Sequence, residues 1–315
     1  MASHLLSKSS FIKGLQCEKH LFLYKYHYGE MDEFSEMQKA IFHRGTDVGV
    51  LAQKLFPGGT DGTEGSPPAY KKGLKKTGEL IQQGGKIIYE AAFQFNEVLS
   101  IADIVVKEKD KWNIYEVKSS TSISETYLND AALQYYVISN CGIEINDFSI
   151  IYINNQYIRK GELDINELFT IQSVIDSILP LQNFVEENVE RLKEVISKRE
   201  VPDIDIGEHC HNPYTCSFFN YCRKHIPEDS IFDFSGMHLK KKYELYRDGI
   251  IKLDDVKDDY SLNKNNGIQL DVYKSGEPLI DKQAIENFLS DLNYPLFFMD
   301  FESFQPAVPL FDNSK

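Results

Sequence analysis

Residues 100–120, SIADIVVKEKDKWNIYEVKSS, predict a β-hairpin that carries charged side chains among apolar ones. Two segments rich in β-branched and aromatic residues flank the charged turn KEKDK, as expected of two antiparallel strands. Asp103 lies in the first strand, and Glu116 and Lys118 lie two residues apart in the second. Because side chains alternate along a strand, Glu116 and Lys118 point to the same face, and the hairpin can bring Asp103 beside them.

Strands and helices alternate around this hairpin. KIIYEAAFQF (residues 86–95) and FSIIYIN (residues 148–154) predict two more strands, and SETYLNDAALQYYVISNCG (residues 124–142) predicts a helix before the second of these. Residues 165–198 are typical of long helical sequence interrupted at Pro180. Interleaved strands and helices favour an α/β fold, here preceded by a helical N-terminal region.

Composition limits the class of protein. The 315 residues are 42% hydrophobic and 26% charged, which is typical of a globular chain, and the formal net charge is −14. That charge argues against a protein that simply coats nucleic acid, although an enzyme with a local basic groove remains compatible with it. No apolar run approaches the ~20 residues of a membrane-spanning helix, and the N-terminus lacks the pattern of a secretory signal. We therefore predict a cytoplasmic protein with reduced thiols and no membrane partner.

The charged residues of the hairpin predict a metal site. Two carboxylates that converge in partly buried surroundings repel each other unless a cation compensates their charge. Oxygen ligands of this kind suit Mg²⁺ or Mn²⁺. A neighbouring lysine can orient the attacking water, or help to deprotonate it, and can stabilise charge on a phosphate oxygen, which together amount to metal-assisted phosphodiester hydrolysis. The alternative is an ordinary ion-pair network of Asp103, Glu116 and Lys118 at a sheet edge.

The order of these motifs resembles a known family. The dipeptide AD in one strand, EVK in the next and LQYY on the following helix resemble the RecB-like branch of the PD-(D/E)XK nuclease superfamily, and His43 in FHRGTDVG matches its upstream histidine. The nearest likeness is to CRISPR-associated RecB-like nucleases that carry an iron–sulfur cluster. The resemblance covers residues 5–225. It implies a restriction-endonuclease-like α/β core that hydrolyses DNA.

The resemblance also implies a role for each matching residue. Without it, a lone histidine on an amphipathic helix such as His43 would be read as a surface residue. The implied set consists of His43, Asp103, Glu116 and the Val117 carbonyl as metal ligands, Glu90 beside the metal, Lys118 as the catalytic lysine, Gln134 as a further catalytic residue, and Tyr135 or Tyr136 as a nucleic-acid contact.

A cysteine cluster follows the predicted core. HCHNPYTCSFFNYC, residues 209–222, contains three of the five cysteines, Cys210, Cys216 and Cys222. Clustered thiols in a reducing compartment are more often metal ligands than disulfides. The resemblance implies that Cys17 is the fourth ligand of a [4Fe–4S] cluster, which four thiolates suit. A zinc site is the alternative, with Cys17 as fourth ligand or with His209, His211 or His225 in its place.

The remaining sequence predicts two further regions. After a nuclease domain over residues 1–228, residues 229–290 predict a small helical connector, in which YELYRDGIIKLDDV has a weak helix-hairpin-helix rhythm. Residues 291–315 open with a buried-strand pattern and resemble the incomplete start of a ribonuclease-H-like, DnaQ-type exonuclease domain. Asp300 and Glu302 match the acidic pair of that domain's first motif.

Taken together, the sequence predicts a Mg²⁺- or Mn²⁺-dependent deoxyribonuclease that acts on single strands or duplex ends, with exonuclease favoured over endonuclease action. Its [4Fe–4S] cluster would be structural. The alternative is a non-catalytic nucleic-acid-binding or scaffold module that keeps the fold and a structural iron–sulfur or zinc site. A colourless preparation would indicate zinc, and a brown one an iron–sulfur cluster.

Overall fold

A computed structural model describes residues 5–63, 69–301 and 306–315. The chain forms two compact units. The first consists of Met1–Ile204 together with Gln305–Lys315, and the second consists of Asp205–Phe304.

The first unit is built on a mixed β-sheet, which has seven strands in the part of the chain that the structure describes. β2 to β7 lie side by side in sequence order, and β1 pairs with β4 outside this order. In chain order the strands are β1 (Leu6–Ser7), β2 (Thr60–Asp61), β3 (Ile87–Phe95), β4 (Val98–Glu108), β5 (Lys111–Lys118), β6 (Ile145–Ile153) and β7 (Phe169–Ser173).

The sheet contains both antiparallel and parallel pairs. β3, β4 and β5 form an antiparallel meander, β6 runs parallel to β5, and β7 runs antiparallel to β6. β1 and β2 add short parallel pairs to β4 and β3. The parallel β5–β6 pair requires a crossover connection, which a helix supplies.

Helices cover both faces of the sheet. In the first unit they are α1 (Lys8–Gln16), α2 (Glu18–Tyr26), α3 (Glu36–Ala52), α4 (Tyr70–Gln82), α5 (Glu125–Ser139), α6 (Ile165–Leu168), α7 (Ile175–Ile178) and α8 (Gln182–Ser197). Short 3₁₀ helices lie at Tyr28–Glu30, Gln53–Leu55 and Leu179–Leu181.

Two apolar clusters hold these layers together. On one face of the sheet, Phe11 of α1, Leu133 of α5 and Leu192 of α8 are fully buried against the strands. On the other face, Val48 and Ala52 of α3 pack against the central strands. Each fully buried side chain of this size contributes about 1.5–3 kcal/mol to the free energy of folding. The core therefore fixes α1 and α5 on the same side of β4 and β5.

The predicted α/β class and the predicted hairpin are confirmed. β4 and β5 pair antiparallel around the charged turn, and α5 and β6 occupy the helix and strand predicted after them. The prediction for residues 165–198 was wrong in one respect, because strand β7 lies between α6 and α7. Pairing with the free edge of β6 outweighs the local helical pattern there.

The second unit is small and helical around its own core. Its helices are α9 (Phe219–Cys222), α10 (Leu239–Arg247), α11 (Lys264–Ser275) and α12 (Lys282–Ser290), with 3₁₀ helices at Glu208–His211, Ile231–Asp233 and Leu253–Asp255. Ile231, Phe234 and Leu245 are buried in its apolar cluster. It begins at Asp205, earlier than the predicted boundary at residue 228. One reason is that His211 Nε2 lies 2.9 Å from the hydroxyl of buried Tyr243, which ties the cysteine-rich segment to α10.

The predicted strand near the C-terminus is absent from residues 291–301, all of which the structure describes. Tyr294, Phe297 and Phe298 are each more than four-fifths exposed, since no sheet edge pairs with this segment within the described residues. Asp300 is exposed, and Glu302 lies outside the described residues. Among the helices that the structure describes, none is both long enough and apolar enough to span a membrane.

Candidate functional site

The site begins at a kink in β3. Tyr89 pairs with Ile104 and Ala91 with Ala102, so Glu90 lies opposite Asp103 at a position where the β3–β4 ladder is interrupted. Glu90 has a backbone φ of 51°, in the left-handed region that a side-chain-bearing residue seldom adopts. Such strain persists only where the surrounding structure enforces it, and it is common at functional sites.

Neighbouring backbone closes around the kink. A Cβ added to Gly62 would lie 2.9 Å from the carbonyl oxygen of Glu90, so only glycine allows the chain after β2 to pass so close. The Gly62 N–H donates a hydrogen bond to the Tyr89 carbonyl at 2.7 Å. The kink therefore has support from both the sheet and the adjoining loop.

Asp103 and Glu116 meet where the β4–β5 ladder ends. The last pair in register is Ile104 with Tyr115, which places Asp103 and Glu116 at the next opposed position on the same face. Beyond this pair, the Asp103 side chain supplies the hydrogen-bond acceptor for β5 in place of a backbone carbonyl, because its Oδ2 accepts the Val117 N–H at 2.6 Å. The predicted convergence of the two carboxylates is confirmed.

Three side chains satisfy the carboxylate of Glu116, which is 2% exposed. Lys118 Nζ lies 2.6 Å from its Oε1, and Lys8 Nζ, at the start of α1, lies 2.7 Å from the same atom. Gln134 on α5 donates from Nε2 to Oε2 at 2.8 Å. Glu116 is thus a buried anion with two ammonium partners and one amide donor.

Lys118 is shared between two carboxylates. Its Nζ lies 2.5 Å from Asp130 Oδ2 on α5, in addition to its bond with Glu116. The ammonium also lies 5.1 Å from the centre of the Tyr127 ring, within the range of a cation–π contact. Asp130 and Gln134 are four residues apart on α5, so both face the sheet at this point. The ammonium of Lys118 is therefore held on three sides.

Lys8 and Asp130 are site residues that the sequence analysis missed. The i, i+4 spacing from Asp130 to Gln134 was a usable signal, because those two positions share one helical face. Lys8 is 108 residues away from Glu116 along the chain. No local pattern connects them, and only the packing of α1 on the sheet reveals the contact.

Burial and the neighbouring ammonium groups shift the pKa values of these carboxyl groups in opposite directions. Burial, followed by the nearby Glu116 carboxylate, raises the pKa of Asp103 to about 8. Burial would also raise the pKa of Glu116, but the ammonium groups of Lys118 and Lys8 hold it well below its usual range. Burial raises the pKa values of Glu90 and Asp130. The two ammonium groups therefore keep Glu116 ionised at neutral pH, whereas burial lets Asp103 keep a proton there.

The carboxylates open into a cavity of about 650 Å³. One wall is polar and comes from the strands, and the other is largely apolar and comes from α3. The lining residues are Ile41, Phe42, Gly45, Thr46, Gly49, Val50, Thr63, Glu90, Asp103, Glu116, Val117, Lys118, Ser119 and Tyr127. Four predicted site residues thus join Glu90 around one solvent-accessible space.

Three predicted residues lie elsewhere. His43 is exposed on α3 and is not part of the cavity lining, although Phe42 and Thr46 are. Tyr136 is buried in the core, where its ring packs edge-on against Phe95 at a centroid distance of 5.5 Å. Tyr135 is partly buried against the same apolar cluster. Helical geometry explains both tyrosines, because they follow Gln134 by one and two residues and so point away from its face.

The charge and donor types of the site fit a divalent cation. Four carboxyl groups, Glu90, Asp103, Glu116 and Asp130, face two ammonium groups, which leaves two negative charges uncompensated when all are ionised. Asp130 Oδ1 and Gln134 Oε1 are buried with no hydrogen-bond partner in the described part of the chain. Oxygen donors with excess negative charge suit Mg²⁺ or Mn²⁺. No three His, Cys, Asp or Glu side chains among the described residues are grouped so as to hold a metal ion, so main-chain oxygens or water must complete any such site.

The predicted cluster cysteines divide between the two units. Cys17 is partly buried between α1 and α2 of the first unit. In the second unit Cys210 and Cys216 are buried and Cys222 is partly buried. Phe218 N–H donates to Cys216 Sγ at 3.5 Å, and His209 Nε2 lies 3.6 Å from Cys210 Sγ. A backbone N–H that points at sulfur is compatible with a thiolate at Cys216.

A scan against protein-family models finds no match for the chain, and a search of curated proteins finds no significant similarity.

Asp103 should make the metal-free protein less stable as the pH rises. The folded protein keeps the Asp103 proton up to a pKa of about 8, whereas the unfolded chain loses it near ~3.9. Between these values unfolding releases a proton, so the free energy of unfolding falls with rising pH by up to ~1.4 kcal/mol per pH unit. Asp103→Asn should remove this contribution. Denaturant unfolding at pH 5, 6.5 and 8 with a chelator should show the variant gaining stability over the native chain as pH rises.

Asp110→Asn, in the exposed turn of the same hairpin, is the matched control. A stability difference between the Asp103 variant and the native chain that stays constant from pH 5 to pH 8 would contradict this assignment.

Proposed function

We propose that the protein is a RecB-like, metal-dependent deoxyribonuclease. The observation that carries the proposal is the convergence of Asp103, Glu116 and Lys118 on one wall of an open cavity. A purely structural ion pair has no need of a solvent-accessible cavity. Perturbed carboxyl groups that line a cleft beside a fixed ammonium are typical of catalytic sites.

In the proposed enzyme, the position of each side chain determines its role. Asp103, Glu116 and the Val117 carbonyl would hold a divalent cation, with Glu90 beside it. Such a cation, when bound, polarises a phosphoryl oxygen and lowers the pKa of a water molecule. Lys118 is oriented by Asp130 and Glu116, so its ammonium can stabilise the charge that develops on a phosphate oxygen. Gln134 orients Glu116 through its amide.

The shape and lining of the cavity favour a nucleic-acid strand as substrate. The wall from α3 offers exposed apolar side chains, among them Phe42 and Val50. An aromatic side chain such as Phe42 can accept any base by stacking, whereas Lys118 and a bound cation would contact the phosphate. We therefore propose action on single strands or duplex ends, with exonuclease action favoured. The restriction-endonuclease-like core is part of the same proposal.

We further propose that Cys17, Cys210, Cys216 and Cys222 hold a structural [4Fe–4S] cluster. The donor chemistry supports this, since the second unit buries two of the thiols and directs a backbone N–H to one sulfur. Ligation of four thiolates by one cluster would contribute to folding stability.

One observation favours a second candidate, a non-catalytic nucleic-acid-binding module. Both oxygens of Glu116 already accept hydrogen bonds from protein donors. A cluster that satisfies itself in this way can serve the fold alone. The two candidates differ in cleavage, because only the enzyme requires the ammonium of Lys118 for turnover.

Lys118→Met should reduce cleavage of DNA by about 10²- to 10³-fold, the range associated with loss of one group that stabilises charge in the transition state. The measurement is the cleavage rate of end-labelled single-stranded and blunt duplex DNA with Mg²⁺ or Mn²⁺. Binding of the same DNA should change little, because Lys118 is one charge in an extended contact. The matched control is Lys107→Met, on β4 of the same sheet but outside the cavity lining.

Cleavage by the Lys118 variant at the native rate, with folding verified by its melting curve and contaminating nuclease excluded, would refute the catalytic assignment. Failure of the native protein to cleave any DNA with either cation would favour the binding module.

The cluster proposal predicts a brown protein when the chain is purified without oxygen, with about four iron and four sulfide per chain. Cys216→Ser should lose both colour and iron. Cys141→Ser should retain them, since Cys141 is exposed at the end of α5 and is not one of the four proposed ligands. A colourless protein that contains one zinc per chain would indicate a zinc site in place of the cluster.

A further inference from the structure

Two ammonium groups compete for one oxygen in this site. Lys8 Nζ and Lys118 Nζ lie 2.7 Å and 2.6 Å from the same atom, Glu116 Oε1. The other oxygen, Oε2, accepts from Gln134. A cation that binds Oε1 must therefore replace one of these two ammonium groups, whereas Oε2 accepts one hydrogen bond and keeps a free lone pair.

The two lysines are not equally replaceable. Lys118 has a second strong partner in Asp130 at 2.5 Å, and its side chain is 16% exposed. Lys8 forms an ion pair with Glu116 alone among the carboxylates that the structure describes, and its side chain is 28% exposed. Moving Lys118 would break two ion pairs, whereas moving Lys8 would break one.

The position of Lys8 on α1 allows such a movement without a change of fold. Lys8 is the first residue of α1, and Ser7 before it caps the helix by accepting the Ser10 N–H. Ser10 and Phe11 are buried, so the backbone of this turn is fixed. The flexible four-carbon side chain of a lysine can still turn outward from a fixed backbone.

We propose that Lys8 is the resident counter-ion of the metal site: its ammonium neutralises Glu116 until a divalent cation binds there, and the cation displaces it. This inference rests on the proposed function, because it assumes that Glu116 is a ligand. An ammonium and a divalent cation at one carboxylate oxygen repel each other strongly in a partly buried setting.

The consequence is a metal affinity set by exchange. In the metal-free protein Lys8 adds a second ammonium to the buried Glu116 carboxylate, beside that of Lys118, and so compensates a charge that is costly to bury. A cation that binds Glu116 Oε1 must also release the ammonium of Lys8. Removal of the ammonium should therefore tighten binding of the cation, in contrast to the loss of affinity expected when a supporting residue is removed.

The first test is the affinity of the full chain for Mn²⁺ without nucleic acid, measured by electron paramagnetic resonance of the unbound ion. Lys8→Met should bind Mn²⁺ about tenfold more tightly than the native chain, a change of ~1.4 kcal/mol. Lys8→Arg, which keeps the charge, should bind as the native chain does. Asp103→Asn should lose the site. Lys111→Met is the matched control, because it breaks an exposed ion pair with Glu144 of the same 2.7 Å length.

The second test uses the native chain and so does not depend on the folding of a variant. Lys8 and Lys118 are acetylated by a limiting amount of reagent with and without Mn²⁺, and the two modified peptides are quantified by mass spectrometry. Release of Lys8 should raise its rate of acetylation severalfold on addition of Mn²⁺. Lys118, still bound to Asp130, should change far less.

The outcomes separate this inference from the proposed function. If Mn²⁺ binds at a site that Asp103→Asn abolishes, but Lys8→Met binds no more tightly and Lys8 acetylation is unchanged, the role of Lys8 is overturned and the metal site stands. If neither the native chain nor Lys8→Met binds Mn²⁺ at that site, both are overturned.

Discussion

The burial of one carboxylate, that of Glu116, constrains much of the first unit. An ionised carboxylate that is 2% exposed requires charged partners or hydrogen-bond donors close by, or it destabilises the fold. Here the partners come from three separate places: Lys118 on the same strand, Gln134 on α5 and Lys8 on α1. The packing of α1 and α5 on one face of the sheet is what brings these donors to it. The packing that forms the core therefore also assembles the site.

The group around Glu116 has more acid than base, and this imbalance is its chemically informative property. Asp103 reduces the excess negative charge by keeping a proton. Asp130 forms an ion pair with the ammonium of Lys118, which also binds Glu116. A divalent cation would compensate the same charge and allow Asp103 to ionise. The strained backbone of Glu90 and the close passage of Gly62 add a fourth carboxyl group at the same place, at a cost that the core of the sheet must offset.

Sequence patterns predicted those parts of the site that depend on local geometry. Alternation along two strands was enough to place Glu116 and Lys118 on one face and to bring Asp103 opposite them, and the helix after β5 followed from its own periodicity. The family resemblance added Gln134 and Glu90, which contact Glu116 and line the cavity respectively.

What sequence could not predict depends on packing between distant segments. The contact of Lys8 with Glu116 spans 108 residues, and β7 exists because the edge of β6 was available for pairing. Tyr135 and Tyr136 were placed near the cavity by their proximity to Gln134 in sequence, but helical rotation turns them toward the core. For the cysteines, the clustering of Cys210, Cys216 and Cys222 predicted metal ligands and the resemblance added Cys17, and the binding of a metal by these residues stays a prediction.

The most direct test of this account is a crystal structure of the protein grown with Mn²⁺, with anomalous diffraction recorded on both sides of the manganese absorption edge. The account predicts a manganese peak between the carboxylates of Asp103 and Glu116, beside the Val117 carbonyl, with the ammonium of Lys8 withdrawn from Glu116. An ordered site that contains no manganese, with Lys8 and Lys118 both still bound to Glu116, would contradict it.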